Sequence, residues 1–171
     1  MQEIPAAKVD LYLFNLINGY AKKSRILDFF AVCFAEYAGY ALVVILLLYA
    51  AITAHWQIFF ISLLAGLAAR FIINEVIYFF YKRKRPMEVL LINSLIKKPN
   101  HPSFPSGHAS FFFGISLALL LFNAPSAVVF LAVSGFIGLA RVFCGVHWSS
   151  DILAGIVVGF VPFLLILSLI K

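Results

Sequence analysis

The sequence predicts an all-α, polytopic membrane helix bundle, and three observations support this fold class. Of its 171 residues, 64% are hydrophobic and only 12% are charged, whereas soluble domains are about half apolar and about a quarter charged. Five apolar segments are each about long enough to cross a bilayer. The polar residues are concentrated between these segments. We therefore expect a single integral-membrane domain that comprises residues 1–171.

The five predicted spans are separated by polar connections of unequal length. They lie at residues 26–53, 56–81, 106–123, 127–144 and 152–170, and residues 82–105 form the longest connection. Before the first span, apolar residues alternate with Lys8, Asp10, Asn15 and Asn18. That stretch is too short and too polar to span a membrane, so it predicts an amphipathic helix in the membrane interface.

The order of the spans brings three polar clusters to one face of the membrane. The end of span 2, the start of span 3, the end of span 4 and the start of span 5 share a side. The clusters at these four ends read KRKRP at 82–86, PSGH at 105–108 and ARVFCGVHWSSD at 140–151. We therefore expect the three clusters to converge on one site.

The residue types in these clusters favour binding of an anion with several oxygens. The guanidinium groups of Arg85 and Arg141 match phosphate geometry. Ser106 is a good N-cap for the third span, and the free N–H groups of a helix start bind phosphate. Gly107 has no side chain where the backbone would approach an oxyanion. The net charge of +6 fits a phosphate substrate, anionic lipid headgroups or a topology signal equally well.

Three further residues suggest catalysis at this anion site. His147 and Asp151 are four residues apart, so the carboxylate of Asp151 can orient the imidazole. We hypothesise that His147 attacks phosphorus to form a phosphohistidine, and that His108 protonates the leaving oxygen. Arg85, Arg141, Ser106 and Gly107 would bind the phosphoryl oxygens. Arginines would then do the work that metal ions do elsewhere, so we expect neither a metal nor another cofactor.

At these residues the sequence resembles the type 2 phosphatidic acid phosphatase superfamily of membrane lipid phosphatases. The family carries a Lys separated from Arg-Pro by six residues, then Pro-Ser-Gly-His, then Ser-Arg with a His and an Asp at fixed distances. The second signature matches at 105–108, and the third matches at Arg141, His147 and Asp151. Two positions depart from the pattern: Tyr78 replaces the Lys and Ala140 replaces the Ser. Lys82 or Lys84 could supply the missing charge, and Lys82 is included as a candidate phosphate ligand.

The resemblance also implies a substrate class and a location. Within the superfamily the sequence is similar to bacterial undecaprenyl-diphosphate phosphatases, lipid A 1-phosphatases and phosphatidylglycerol phosphate phosphatases. It implies a phosphorylated membrane lipid as partner, no nucleic acid, and a multi-pass protein of the bacterial inner membrane. The basic residues gather on the face of the site, which the positive-inside rule would place in the cytoplasm. By resemblance we expect that face to lie outside.

Other readings remain open at this point. Most of the remaining loop cations, Arg83 among them, are expected to contact headgroups or set topology. Glu36, Arg70, Asn74 and Glu75 lie inside spans 1 and 2, where we favour a buried structural network over a substrate role. They also suit a transporter, although neither a sequence repeat nor a discontinuous helix pair appears. A lipid-binding protein without catalysis is the second alternative.

Overall fold

The computed structural model describes residues 8–92 and 94–170, and within these ranges it contains helices and no strands. This confirms the all-α class. The chain begins with α1 (Lys8–Asn18), followed by the long helices α2 (Arg25–Thr53) and α3 (Trp56–Phe80). A single turn, α4 (Pro86–Val89), lies in the loop that leads to the site. The last helices are α5 (Gly107–Leu119), α6 (Ala124–Phe143) and α7 (Ser149–Ile170).

Four of these helices are long and apolar enough to cross a membrane, namely α2, α3, α6 and α7. The third span was expected over residues 106–123, but the helix found there, α5, ends at Leu119. The next three N–H groups, from Leu120 to Phe122, bond three residues back instead of four, which tightens the chain into a turn. With 13 residues, α5 is about 20 Å long.

The short helix α5 lies at the centre of the bundle. It packs against α3, α6 and α7, and most of its side chains are buried. Glycines permit the close approach to α7, since a Cβ at Gly159 would lie 2.8 Å from the backbone nitrogen of Gly114. A Cβ at Gly155 would lie 2.6 Å from that of Ala109. These contacts fix the start of α5 beside the start of α7, where the site residues lie.

Two π-helical turns interrupt the first two long helices. They lie at Cys33–Tyr37 in α2 and at Ala69–Ile73 in α3. A π turn adds a residue to the helical repeat and shifts the faces on either side of it. Glu36 and Arg70 lie in these turns, and both side chains reach the same cavity.

The N-terminal helix α1 packs across the ends of α6 and α7. Phe14 is fully buried and contacts the Trp148 ring, with the two centroids 5.3 Å apart. Asp10 is also buried, and both of its carboxylate oxygens are bonded to Ser150. This helix therefore contacts the residues that follow His147 and helps to fix the position of their loop.

Candidate active site

A polar cavity of about 320 Å³ lies where the three sequence clusters meet. The residues that line it are Glu36, Arg70, Tyr78, Arg85, Lys97, Lys98, Pro99, His101, Gly107, His108, Arg141 and His147. Five of the eight site residues expected from the sequence are in this lining: Arg85, Gly107, His108, Arg141 and His147. The convergence inferred from span order is therefore present in the fold.

His147 is buried, and its hydrogen bonds identify which ring nitrogen is free to react. Nδ1 lies 2.9 Å from the carbonyl oxygen of Ser103 and 3.3 Å from Oδ2 of Asp151. Since both partners only accept, Nδ1 carries the proton and Nε2 keeps its lone pair. Nε2 lies 3.1 Å from Nη1 of Arg85. Burial, and then the charges of Arg85 and Arg141, lower the pKa of His147, which keeps the imidazole neutral at physiological pH.

Asp151 lies behind His147 and is held by several donors. It lies in the first turn of α7 and is fully buried. Oδ2 accepts from the backbone N–H of Trp148 at 2.8 Å and from the Ser103 hydroxyl, in addition to its contact with His147. Oδ1 accepts from Nη1 of Arg83 at 2.7 Å. These bonds fix the carboxylate, and through it the tautomer and orientation of His147.

Arg85 is almost completely buried, and backbone carbonyls hold it against His147. Nη1 donates to the Val146 carbonyl at 2.7 Å, and Nη2 donates to those of His101 and Pro102 at 3.1 Å. Burial, together with the charge of Arg141, lowers the pKa of Arg85 to about 10. The group therefore stays charged at neutral pH, and an anion in the cavity would offset the cost of burying it.

Arg141 is the second buried cation of the cavity and has an unused donor. Nη1 donates to Glu36 at 2.9 Å and to the Ala35 carbonyl at 3.2 Å. Nε is buried and has no hydrogen-bond partner among the described residues. A buried N–H without a partner is costly. Arg141 lines the cavity, so its positive charge would attract an oxyanion bound there.

The start of α5 provides the backbone donors expected from Pro-Ser-Gly-His. The Ser106 side chain accepts from the N–H of Ala109, which confirms Ser106 as the N-cap. Ser106 itself is fully buried and does not line the cavity. Gly107 does line it, and a Cβ at this position would lie 2.5 Å from Nε of Arg70. The next residue, His108, presents its imidazole to the same cavity.

The fold does not bring Lys82 to the cavity. Lys82 is exposed and is not part of the lining. Tyr78, at the position of the missing family lysine, is buried and donates to the Pro105 carbonyl at 2.8 Å. Its ring lies under the guanidinium of Arg70 at 5.6 Å and stacks on His101. Tyr78 thus supports the wall of the cavity and brings no cation to it.

Two interpretations of charged residues need correction. Arg83, expected at headgroups, is buried and pairs with Asp10 at 2.6 Å and with Asp151 at 2.7 Å. The four polar residues of spans 1 and 2 do not form one buried network. Glu36 and Arg70 line the cavity, and the Glu75 side chain is 46% exposed beside Arg70. Only their charge inside apolar spans distinguished Glu36 and Arg70 in the sequence.

The arrangement suits transfer of a phosphoryl group. A neutral, oriented imidazole nitrogen faces a cavity that also contains two buried guanidinium groups, a helix start and a second imidazole. Beside this cavity lies an apolar groove of about 390 Å³. Four residues line both spaces: Glu36, Arg70, Gly107 and His108. A charged headgroup and an apolar chain of one molecule could therefore be bound together.

Comparisons with known proteins agree with this geometry. A family model described as the PAP2 superfamily matches residues 59–171. The chain is 29% identical over 154 residues to the undecaprenyl-diphosphatase BcrC of Bacillus subtilis, which covers 87% of this chain and 78% of the relative. It is 26% identical over 156 residues to a Bacillus licheniformis protein named bacitracin transport permease protein BcrC, covering 90% and 76%.

The solved structures add a match to the whole fold. The crystal structure of Aquifex aeolicus LpxE superposes with a TM-score of 0.79 at 26% sequence identity, and the match covers 98% of this chain and 99% of that one. Four helices suited to membrane spans and the phosphatase relatives also identify a multi-pass membrane protein. From the family match and the convergence of its signatures on one cavity, the chain belongs to the PAP2 superfamily and is a membrane phosphatase of that family.

Proposed function

We propose that this phosphatase hydrolyses a lipid diphosphate or phosphate in the bacterial cell envelope, with undecaprenyl diphosphate as the first candidate and lipid A 1-phosphate and phosphatidylglycerol phosphate as the others. The observation that carries the proposal is the unprotonated Nε2 of His147, which accepts from Arg85, in a cavity that adjoins an apolar groove. The name of the Bacillus subtilis relative favours undecaprenyl diphosphate.

In the proposed mechanism, Nε2 of His147 attacks the terminal phosphorus and a P–N bond forms as the P–O bond to the lipid breaks. His108 gives its proton to the leaving oxygen. Asp151 stabilises the imidazolium through Nδ1. Water then attacks the phosphohistidine, its proton passes to His108, and orthophosphate leaves with both histidines restored to their starting states.

Positive charge at the cavity supports a mechanism without a metal. Arg85 and Arg141 both line the cavity in which phosphoryl oxygens would bind, and both guanidinium groups are buried there. Preorganised donors of this kind stabilise the charge that develops in phosphoryl transfer. The free N–H groups at the start of α5 would add backbone donors beside Gly107.

We also propose the membrane arrangement. The helix α5 would be a fifth, shortened span, which places the phosphate site below the membrane surface where lipid chains can reach it. In α1, the exposed apolar residues Val9, Tyr12 and Leu16 share one face opposite buried Phe14, which suits a helix lying in the interface. The cavity would face the cell exterior.

Substituted cysteines test the orientation of the site. With Cys33 and Cys144 replaced by alanine, Asn100→Cys in the site loop should react with a membrane-impermeant maleimide on spheroplasts. His55→Cys, in the turn between α2 and α3, is the matched control and should react only after lysis. Both positions are exposed. The reverse pattern would place the site in the cytoplasm.

The substrate is tested by phosphate release from the detergent-purified protein in EDTA. Undecaprenyl diphosphate, lipid A 1-phosphate, phosphatidylglycerol phosphate and phosphatidic acid would be compared at equal mole fraction in the micelle. We expect release in EDTA, with undecaprenyl diphosphate giving the highest kcat/KM. Release only after a divalent metal is added would refute the metal-free mechanism. Release from none of the four lipids would refute the proposed substrates and favour a transport role, as in the name of the Bacillus licheniformis relative.

A further inference from the structure

Among the charged cavity residues that have no part in the mechanism above, two lie inside long apolar helices. Glu36 and Arg70 each lie in a π-helical turn, one in α2 and one in α3. Such turns cost helix regularity and occur frequently at functional sites. Glu36 has an evident role, since it accepts from Arg141 at 2.9 Å. Arg70 has no contact with Arg85, Arg141 or His147 among the described hydrogen bonds, so its presence in the cavity needs another explanation.

The Arg70 guanidinium is held in place at the start of α5. It occupies the space that a side chain at position 107 would take, 2.5 Å from the Cβ position of Gly107. It also lies over the rings of Tyr78 and Phe71, at 5.6 and 4.9 Å from their centroids. Nη1 donates to Glu75 at 2.8 Å, and the Arg70 side chain is 14% exposed. A guanidinium has five N–H donors, so this pairing leaves donors for a ligand.

Arg70 lies in a different part of the site from Arg85 and Arg141. Arg85 and Arg141 line the polar cavity and not the apolar groove, whereas Arg70 lines both. A lipid with its terminal phosphate beside His147 and its chain in the groove must pass Arg70. In a lipid diphosphate, the group beside Arg70 would be the second phosphate, the one bonded to the chain. In a lipid monophosphate that has no second phosphate, the group beside Arg70 would carry no charge.

We propose that Arg70 binds the chain-linked phosphate of a lipid diphosphate and makes the site selective for diphosphates over monophosphates. When the P–O bond to the terminal phosphorus breaks, the leaving group is the lipid monophosphate, and Arg70 neutralises charge on it. The proposal rests on the proposed function. It also accounts for the loss of the family lysine at Tyr78, because Arg70 brings a cation from two helical turns earlier and places it nearer the chain.

The test measures kcat and KM for undecaprenyl diphosphate and phosphatidic acid, with Arg70→Met, Arg70→Lys and the control Arg25→Met, which removes an exposed arginine outside the cavity. For Arg70→Met we expect kcat/KM for the diphosphate to fall about 10- to 100-fold, the equivalent of one or two charge-assisted hydrogen bonds. The value for phosphatidic acid should change less than about threefold. Arg70→Lys should restore part of the diphosphate activity, and Arg25→Met should leave the ratio of the two substrates unchanged.

A binding measurement makes the test independent of turnover. Methylenediphosphonate, which cannot be hydrolysed at its P–C–P bridge, and orthophosphate would be compared as competitive inhibitors. Arg70→Met should weaken inhibition by the diphosphonate and not by orthophosphate. Equal weakening of both, or of neither, would overturn the proposal, and so would wild-type protein that prefers the monophosphate. Failure of the proposed function gives a different result, namely no phosphate release by the wild type from any lipid.

Discussion

Replacement of His147 by alanine should reduce phosphate release by about 10³-fold or more, because it removes the attacking nitrogen while the arginines that bind the phosphate remain. The expected loss is in kcat, measured with saturating lipid in detergent. His101→Ala is the matched control, since His101 also lines the cavity, and only its backbone oxygen holds Arg85. We expect the control to retain activity within about fivefold.

Two further measurements separate a nucleophile from a residue that merely supports the site. Brief reaction with lipid labelled in the terminal phosphate should leave a label on the wild-type protein that is stable to alkali and lost in acid, and His147→Ala should carry none.

The pH dependence of kcat/KM is the second measurement. A lowered pKa of His147 means that the neutral imidazole persists as pH falls, so the acid limb of kcat/KM should lie below the ordinary histidine value of about 6.5.

Retention of more than a tenth of wild-type kcat by His147→Ala would contradict the assignment. An acid limb at or above the ordinary histidine value would contradict the neutral imidazole on which the attack depends. Absence of the label from the wild-type protein, together with loss of activity in the variant, would indicate that His147 does not attack phosphorus.

The convergence of the site could be predicted because it depends on topology and on short spacings. Alternating spans place the ends of spans 2 and 4 with the starts of spans 3 and 5, whatever the details of packing. The spacing of four between His147 and Asp151 also held, although His147 precedes the first residue of α7. A turn that leads into a helix keeps these two side chains together about as well as the helix itself does.

The helix breaks could not be predicted, because hydropathy counts apolar residues and contains no information on hydrogen-bond register. Residues 106–123 are apolar enough for a span, yet the last turn of α5 tightens after Leu119. The π turns at Cys33–Tyr37 and Ala69–Ile73 likewise leave no trace in composition. Each π turn shifts a helix face. A regular helical pattern therefore does not predict that Glu36 and Arg70 line the cavity.

The buried pairing of Arg83 could not be predicted for a different reason. Arg83 stands in a run of similar cations, and Lys82 and Lys84 on either side are exposed. Its distinction comes from partners far away in the sequence, Asp10 in α1 and Asp151 in α7. Long-range pairing of this kind depends on the docking of α1, which no local pattern specifies.

Replacement of Arg83 by methionine should therefore be the most damaging change outside the cavity. Nη2 donates to Asp10 at 2.6 Å, while Nη1 donates to Asp151 and to Ser150, both at 2.7 Å. Arg83 and Asp10 have side chains only 6% exposed, and that of Asp151 is fully buried. Removal of the cation leaves two carboxylates buried beside each other, and breaking a buried pair costs about 3–5 kcal/mol.

Thermal unfolding of the detergent-purified variants measures this effect, and Lys84→Met is the matched control, since it removes the same charge from an exposed neighbour. We expect Arg83→Met to unfold well below the control and to lose kcat, because Asp151 no longer has a fixed position behind His147. Arg83→Lys should fall between them, since an ammonium keeps the charge but not the planar set of donors. Adding Asp10→Asn to Arg83→Met should recover stability, because it removes one of the two unpaired carboxylates. Equal unfolding temperatures for Arg83→Met and Lys84→Met would mean that the cost of dehydrating these three charges cancels their attraction, and that α1 is held to the bundle by the Phe14–Trp148 contact instead.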